Sequence, residues 1–82
     1  MNVKLIMEYV YETGGEKLML QVLKENGGVP KGQFALDEVY VDIPVEKVKK
    51  YIPDFTVENY TALCEERYSY WRDENGNNRI FS

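Results

Sequence analysis

Residues 39–52 read Val-Tyr-Val-Asp-Ile-Pro-Val-Glu-Lys-Val-Lys-Lys-Tyr-Ile, and the apolar period changes at Pro44. Before it, Val39, Val41 and Ile43 point inward and Asp42 outward, the period-two pattern of a strand with one buried face. After it, Val45, Val48 and Ile52 fall at i, i+3 and i+7, the stripe of a helix buried along one side. Pro44 suits the first turn of that helix, where its missing N–H has no intrahelical partner to lose. A strand that turns directly into a helix makes the chain mixed α+β.

Working back from this junction, the strand extends to Phe34 and spans 34–43. Residues 3–12 alternate as well. Val3, Leu5, Met7, Tyr9 and Tyr11 share one side, with Lys4, Glu8 and Glu12 on the other, which predicts a second strand. Two patterns compete over 16–26. Leu18, Leu20 and Val22 alternate, which would build a hairpin about Gly14-Gly15. Against that, Thr13-x-x-Glu16 matches a capping box, good helix formers follow, and Asn26-Gly27 is a helix stop. Helix is the reading we take, with the hairpin as its alternative.

Working forward, Pro53 ends the helix at 44–52 and Thr56 caps another at 57–68, whose inner stripe is Val57, Tyr60, Cys64 and Tyr68 with Leu63 beside it. Asn75-Gly76 between two β-rich runs predicts a C-terminal hairpin over 68–81, because both residues tolerate the positive φ of a type I′ turn. The expected architecture is one α+β domain, 1–82. A small antiparallel sheet (strands near 3–12 and 34–43, hairpin 68–81) packs with helices 44–52, 57–68 and, less firmly patterned, 16–26.

Composition bounds the function. An apolar fraction of 44% with seven Tyr, three Phe and one Trp is that of a folded chain. The core remains small, and a homodimer would be an easy route to further stability. The net charge of −4 argues against non-specific nucleic-acid binding by the whole surface, which needs a basic field. Histidine is absent and Cys64 stands alone, so neither a disulfide within the chain nor a Cys/His metal cluster is expected. No cofactor motif appears. A lone thiol suits a reducing compartment, and no stretch has the length of a membrane span, so the expected location is cytoplasmic.

Candidate binding residues fall in two places. The hairpin register puts Arg72 opposite Arg79, flanked by Tyr70 and Phe81 on the same face; like charges there suit a phosphate, a carboxylate or a stacked ring. Solvated arginines neutralised by Asp73 or Glu74 are the plainer reading. Lys47 and Lys50, with Lys49, form a basic patch on the helix after Pro44; pairing of Glu46 with Lys50 at i+4 accounts for it without a ligand. Cys64, on an apolar stripe, reads as a structural thiol. Carboxylate pairs such as Asp37-Glu38 are adjacent in sequence and so do not share a face.

With no recognisable nucleophile or base, the chain reads as a non-enzyme that binds a protein partner. In size and style it resembles the small inhibitors that phages and mobile elements make against host enzymes, anti-CRISPR proteins among them. That resemblance implies inhibition by surface recognition. A second reading is a winged-helix nucleic-acid binder, since helices 16–26, 44–52 and 57–68 followed by a hairpin have that order. Glu58, Glu65 and Glu66 on the would-be recognition helix count against it.

Overall fold

A computed structural model of the chain describes residues 1–27, 35, 36 and 38–67. Their order is β1 (Asn2–Ile6), α1 (Met7–Glu25), β2 (Tyr40–Pro44), α2 (Val45–Tyr51) and α3 (Val57–Arg67). The fold is α+β: among the described residues, a two-stranded antiparallel sheet carries three helices.

The strands pair from Asn2 opposite Pro44 to Ile6 opposite Tyr40. Backbone bonds continue beyond both ends, from Val45 N–H to Met1 C=O at 3.0 Å and from Met7 N–H to Val39 C=O at 2.8 Å. Odd-numbered residues of β1 therefore direct their backbone groups at β2. Pro44 sits opposite an even-numbered residue, where its lack of an N–H costs the ladder nothing. Lys4 faces Asp42 across the pair and lies 5.7 Å from the Tyr40 ring centroid, a favourable cation–π placement.

The first strand is shorter than the alternation predicts. It ends at Ile6, not at residue 12, and the chain enters α1 at Met7. Ile6 and Met7 are both fully buried, which no strand with one wet face allows, and Val10 follows Met7 at helical spacing. No side chain caps the N-terminus of this helix. Its first N–H groups are taken by main-chain carbonyls from far along the sequence: Val39 for Met7, and Leu36 for Glu8 at 3.1 Å. That use of Leu36 and Val39 also corrects the second strand, which begins at Tyr40: both residues give their carbonyls to α1, and Phe34 lies outside the described residues.

Residues 16–25 are helical, so the hairpin alternative falls. The capping box read at Thr13-x-x-Glu16 does not start the helix: Thr13 lies inside α1, whose one non-helical residue is Gly15, with φ 80° and ψ −177°. Only glycine occupies that region at little cost. Gly15→Ala is expected to destabilise the fold by about 1–3 kcal/mol, a drop in melting temperature of roughly 5–15 °C that circular dichroism would register. The helix stops where the sequence indicates, with Asn26 as C-cap and Gly27 at φ 65°.

Helices α2 and α3 lie within one residue of their expected bounds. Val45, Val48 and Ile52 are buried, as are Tyr60 and Cys64, with Val57 half-buried at the helix start. Thr56 Oγ1 accepts the Asn59 N–H at 3.2 Å, the predicted cap. The core gathers these side chains with Val3, Leu5, Val10, Val22, Leu23, Val41 and Ile43, and no polar or charged side chain is buried among the described residues. The predicted hairpin 68–81, Tyr68 included, lies outside the described residues.

Among the described residues, two hydrogen bonds of one side chain join α3 to the sheet. The Tyr60 hydroxyl accepts the Ile6 N–H at 2.9 Å and donates to the Lys4 carbonyl at 2.7 Å. Both are backbone groups of β1 that point away from β2, so the phenol satisfies two groups on that margin of the strand. Its ring packs at 4.9 Å from Tyr9 and 5.4 Å from Phe55. Burial pushes the Tyr60 phenol far above its ordinary value and the Cys64 thiol up to about 11. Arg67 pairs with Glu12 on the exposed side of the α3–α1 contact.

Candidate binding groove between the first and second helices

The C-terminal half of α1 and the whole of α2 flank an open groove of about 530 Å³. Pro44 and Tyr51 supply its apolar surface, with Gln21, Glu25, Glu46, Lys47 and Lys50 around them. A second depression of about 430 Å³ continues it along α1, sharing Gln21 and Glu25 and adding Lys17, Leu20 and Lys24. Leu20 is 52% exposed, a high value for a leucine inside a helix that buries Met19, Val22 and Leu23.

The geometry follows from local rules. Lys17, Leu20, Gln21 and Lys24 stand at i, i+3, i+4 and i+7, hence on one helical face. Lys47 and Lys50 are three apart on α2 and reach the groove together, as Tyr51 does from the last turn. A polar network fixes the junction. Tyr51 donates to Glu25 Oε1 at 2.6 Å, and the Gln21 amide reaches Glu25 Oε2 at 3.4 Å. Asn26 Nδ2 donates to the Val22 carbonyl at 2.7 Å, while its Oδ1 accepts from Lys47 Nζ at 2.8 Å. The Tyr51 hydrogen bond holds the Glu25 carboxyl below its usual range. Partial burial raises the Tyr51 phenol, and the carboxylate beside it acts in the same direction.

Of the residues singled out from sequence, Lys47 and Lys50 both line this groove. Lys47 spans to α1 through Asn26, and among the described residues Lys50 does not pair with Glu46, the partner that helical spacing suggested. Tyr70, Arg72, Arg79 and Phe81 lie outside the described residues. Sequence reasoning missed Lys17, Leu20, Lys24, Glu25 and Tyr51. Their signal was present once 16–26 was taken as helix, because three of them mark the side of α1 opposite its buried residues. The Tyr51–Glu25 contact spans 26 positions and has no local signature.

No cluster of metal-ligating side chains occurs among the described residues, and no helix of theirs is long and apolar enough to cross a membrane. Comparison with protein-family models, curated proteins and solved structures gives no match for this chain.

Proposed function

We propose that this chain is a protein-binding module that engages its partner through the α1–α2 groove. The observation that carries this reading is the exposed Leu20 at the margin of an open, lysine-rimmed groove whose far wall holds Tyr51. Small-molecule sites enclose most of their ligand within mainly apolar walls. Here the depression is shallow and edged by long charged side chains, a form better matched to side chains offered by another protein surface. Inhibition of a host enzyme, the function that the resemblance in size and style implies, is one form of this reading, in which the partner's working surface is covered.

The test is site-directed photo-crosslinking in the native host. A crosslinking residue at Gln21 is expected to capture one abundant partner. Leu20→Arg should reduce that capture about tenfold while leaving the melting temperature nearly unchanged, since the side chain is mostly exposed. Capture through Glu58 on α3, with none through Gln21, would refute the groove.

The winged-helix reading draws support from one observation, the succession α1, β2, α2, α3 with residues 52–56 as a short helix–helix connection. Exposed Glu58, Glu65 and Glu66 on α3 present like charge to a phosphate backbone. A salt-sensitive gel shift with duplex DNA, abolished by substitutions on α3, would favour it over the groove.

A further inference from the structure

We propose that the occupant of the α1–α2 groove is an acidic peptide segment bearing one apolar side chain, a proposal that rests on the groove being the binding face. Four lysines line it (Lys17, Lys24, Lys47, Lys50) against two acids (Glu25, Glu46), a local charge of +2. The whole chain carries −4, so the rest of the sequence sums to −6. The groove is thus a positive island on a negative protein.

One of its two acids, though exposed, is also engaged within the chain. Glu25 spends one carboxylate oxygen on the Tyr51 hydroxyl and the other on the Gln21 amide. Lys47 donates to the neutral Asn26 amide oxygen; the Glu25 carboxylate attracts it and Lys24 electrostatically, but one carboxylate is shared between the two cations. Leu20 stands between Lys17 and Lys24 on the same helical face, an apolar platform with a cation on either side. A partner complementary to that surface carries carboxylates spaced about a leucine-sized or aromatic side chain.

The same charge separation disfavours a polynucleotide. A long polyanion would extend past these lysines over a protein whose remaining charge sums to −6, whereas a short segment feels only the field within about one Debye length, ~10 Å. A second copy of the chain offers acidic surface too, and the test distinguishes it.

The full chain is titrated with three probes at low ionic strength, with binding followed by amide chemical shifts. These are a short Glu-rich peptide containing one leucine, its Gln-substituted counterpart, and an oligothymidylate. The acidic peptide is expected to bind and to shift amides within 17–25 and 46–51. The Gln peptide should bind about tenfold more weakly, as should the acidic peptide to a Lys24→Glu/Lys50→Glu variant, while Lys24→Arg/Lys50→Arg retains affinity. Several results overturn the proposal: no binding of the acidic peptide, equal binding of the Gln peptide, or tighter binding of the oligothymidylate. Salt-sensitive self-association of the wild type, abolished by the same charge reversal, would also do so. If the peptide fails but Gln21 still crosslinks a partner, only the acidic occupant is lost; if Gln21 crosslinks nothing, the binding face itself falls.

Discussion

Tyr60→Phe should be among the most damaging conservative substitutions in this protein, costing about 2–4 kcal/mol and lowering the melting temperature by more than roughly 10 °C. The ring, with its contacts to Tyr9 and Phe55, is retained, so little apolar burial changes. What disappears is one oxygen that serves both the Ile6 N–H and the Lys4 carbonyl. Those two main-chain groups are then left without a partner beside a fully buried core, and an orphaned polar group there loses the bond and forfeits hydration as well. Urea denaturation monitored by far-ultraviolet circular dichroism measures the loss. A difference below about 0.5 kcal/mol would mean that water reaches the edge of β1 and that the phenol is dispensable.

Alkaline conditions should unfold the protein well before its surface charge alone would. Cys64 rises from an ordinary value of 9.0 to about 11 in the folded chain, chiefly through burial, and Tyr60 rises far above 10.0 for the same cause. Both groups have folded values above their unfolded ones, so their neutral forms stabilise the fold. That contribution is fully present below about pH 9 and drains as pH climbs. For Cys64 alone the loss reaches about 2 kcal/mol by pH 11. Tyr60 adds its own decline above about pH 10. On a domain whose total stability is on the order of 5 kcal/mol, the two together bring the folded state close to its limit near pH 11. Urea midpoints measured from pH 7 to 11 should fall steeply above 9. A Cys64→Ala variant, whatever its stability at pH 7, should show a flatter curve between 9 and 10. Parallel curves for the two proteins would refute the assignment to the thiol.

Where neighbours along the chain govern the outcome, the sequence was readable. The junction at Pro44 needs only the change from period two to helical spacing, and Thr56 caps α3 by reaching three residues ahead. Val45, Val48, Ile52, Tyr60 and Cys64 are buried for the reason their spacing gives. The end of β1 was not readable. Tyr9 and Tyr11 continue the alternation of Val3 and Leu5, so nothing local marks Ile6 as the last strand residue. The helix begins there because carbonyls of Leu36 and Val39 arrive to accept its first N–H groups. Half of the groove was visible as a lysine patch on α2. The other half required residues 16–25 to be helical before Lys17, Leu20 and Lys24 could share a face, and required α1 to lie beside α2, which no spacing rule supplies.

The phenol bridging Lys4 and Ile6 has a consequence for behaviour at high concentration. An uncovered strand margin invites pairing by strands of other molecules, a route to ordered aggregation. On β1 the Lys4–Ile6 end of that margin is occupied by a side chain that is covalently part of the fold and cannot be displaced without moving α3. A strand from another molecule therefore cannot pair with the Lys4–Ile6 end of β1 for as long as the third helix remains docked.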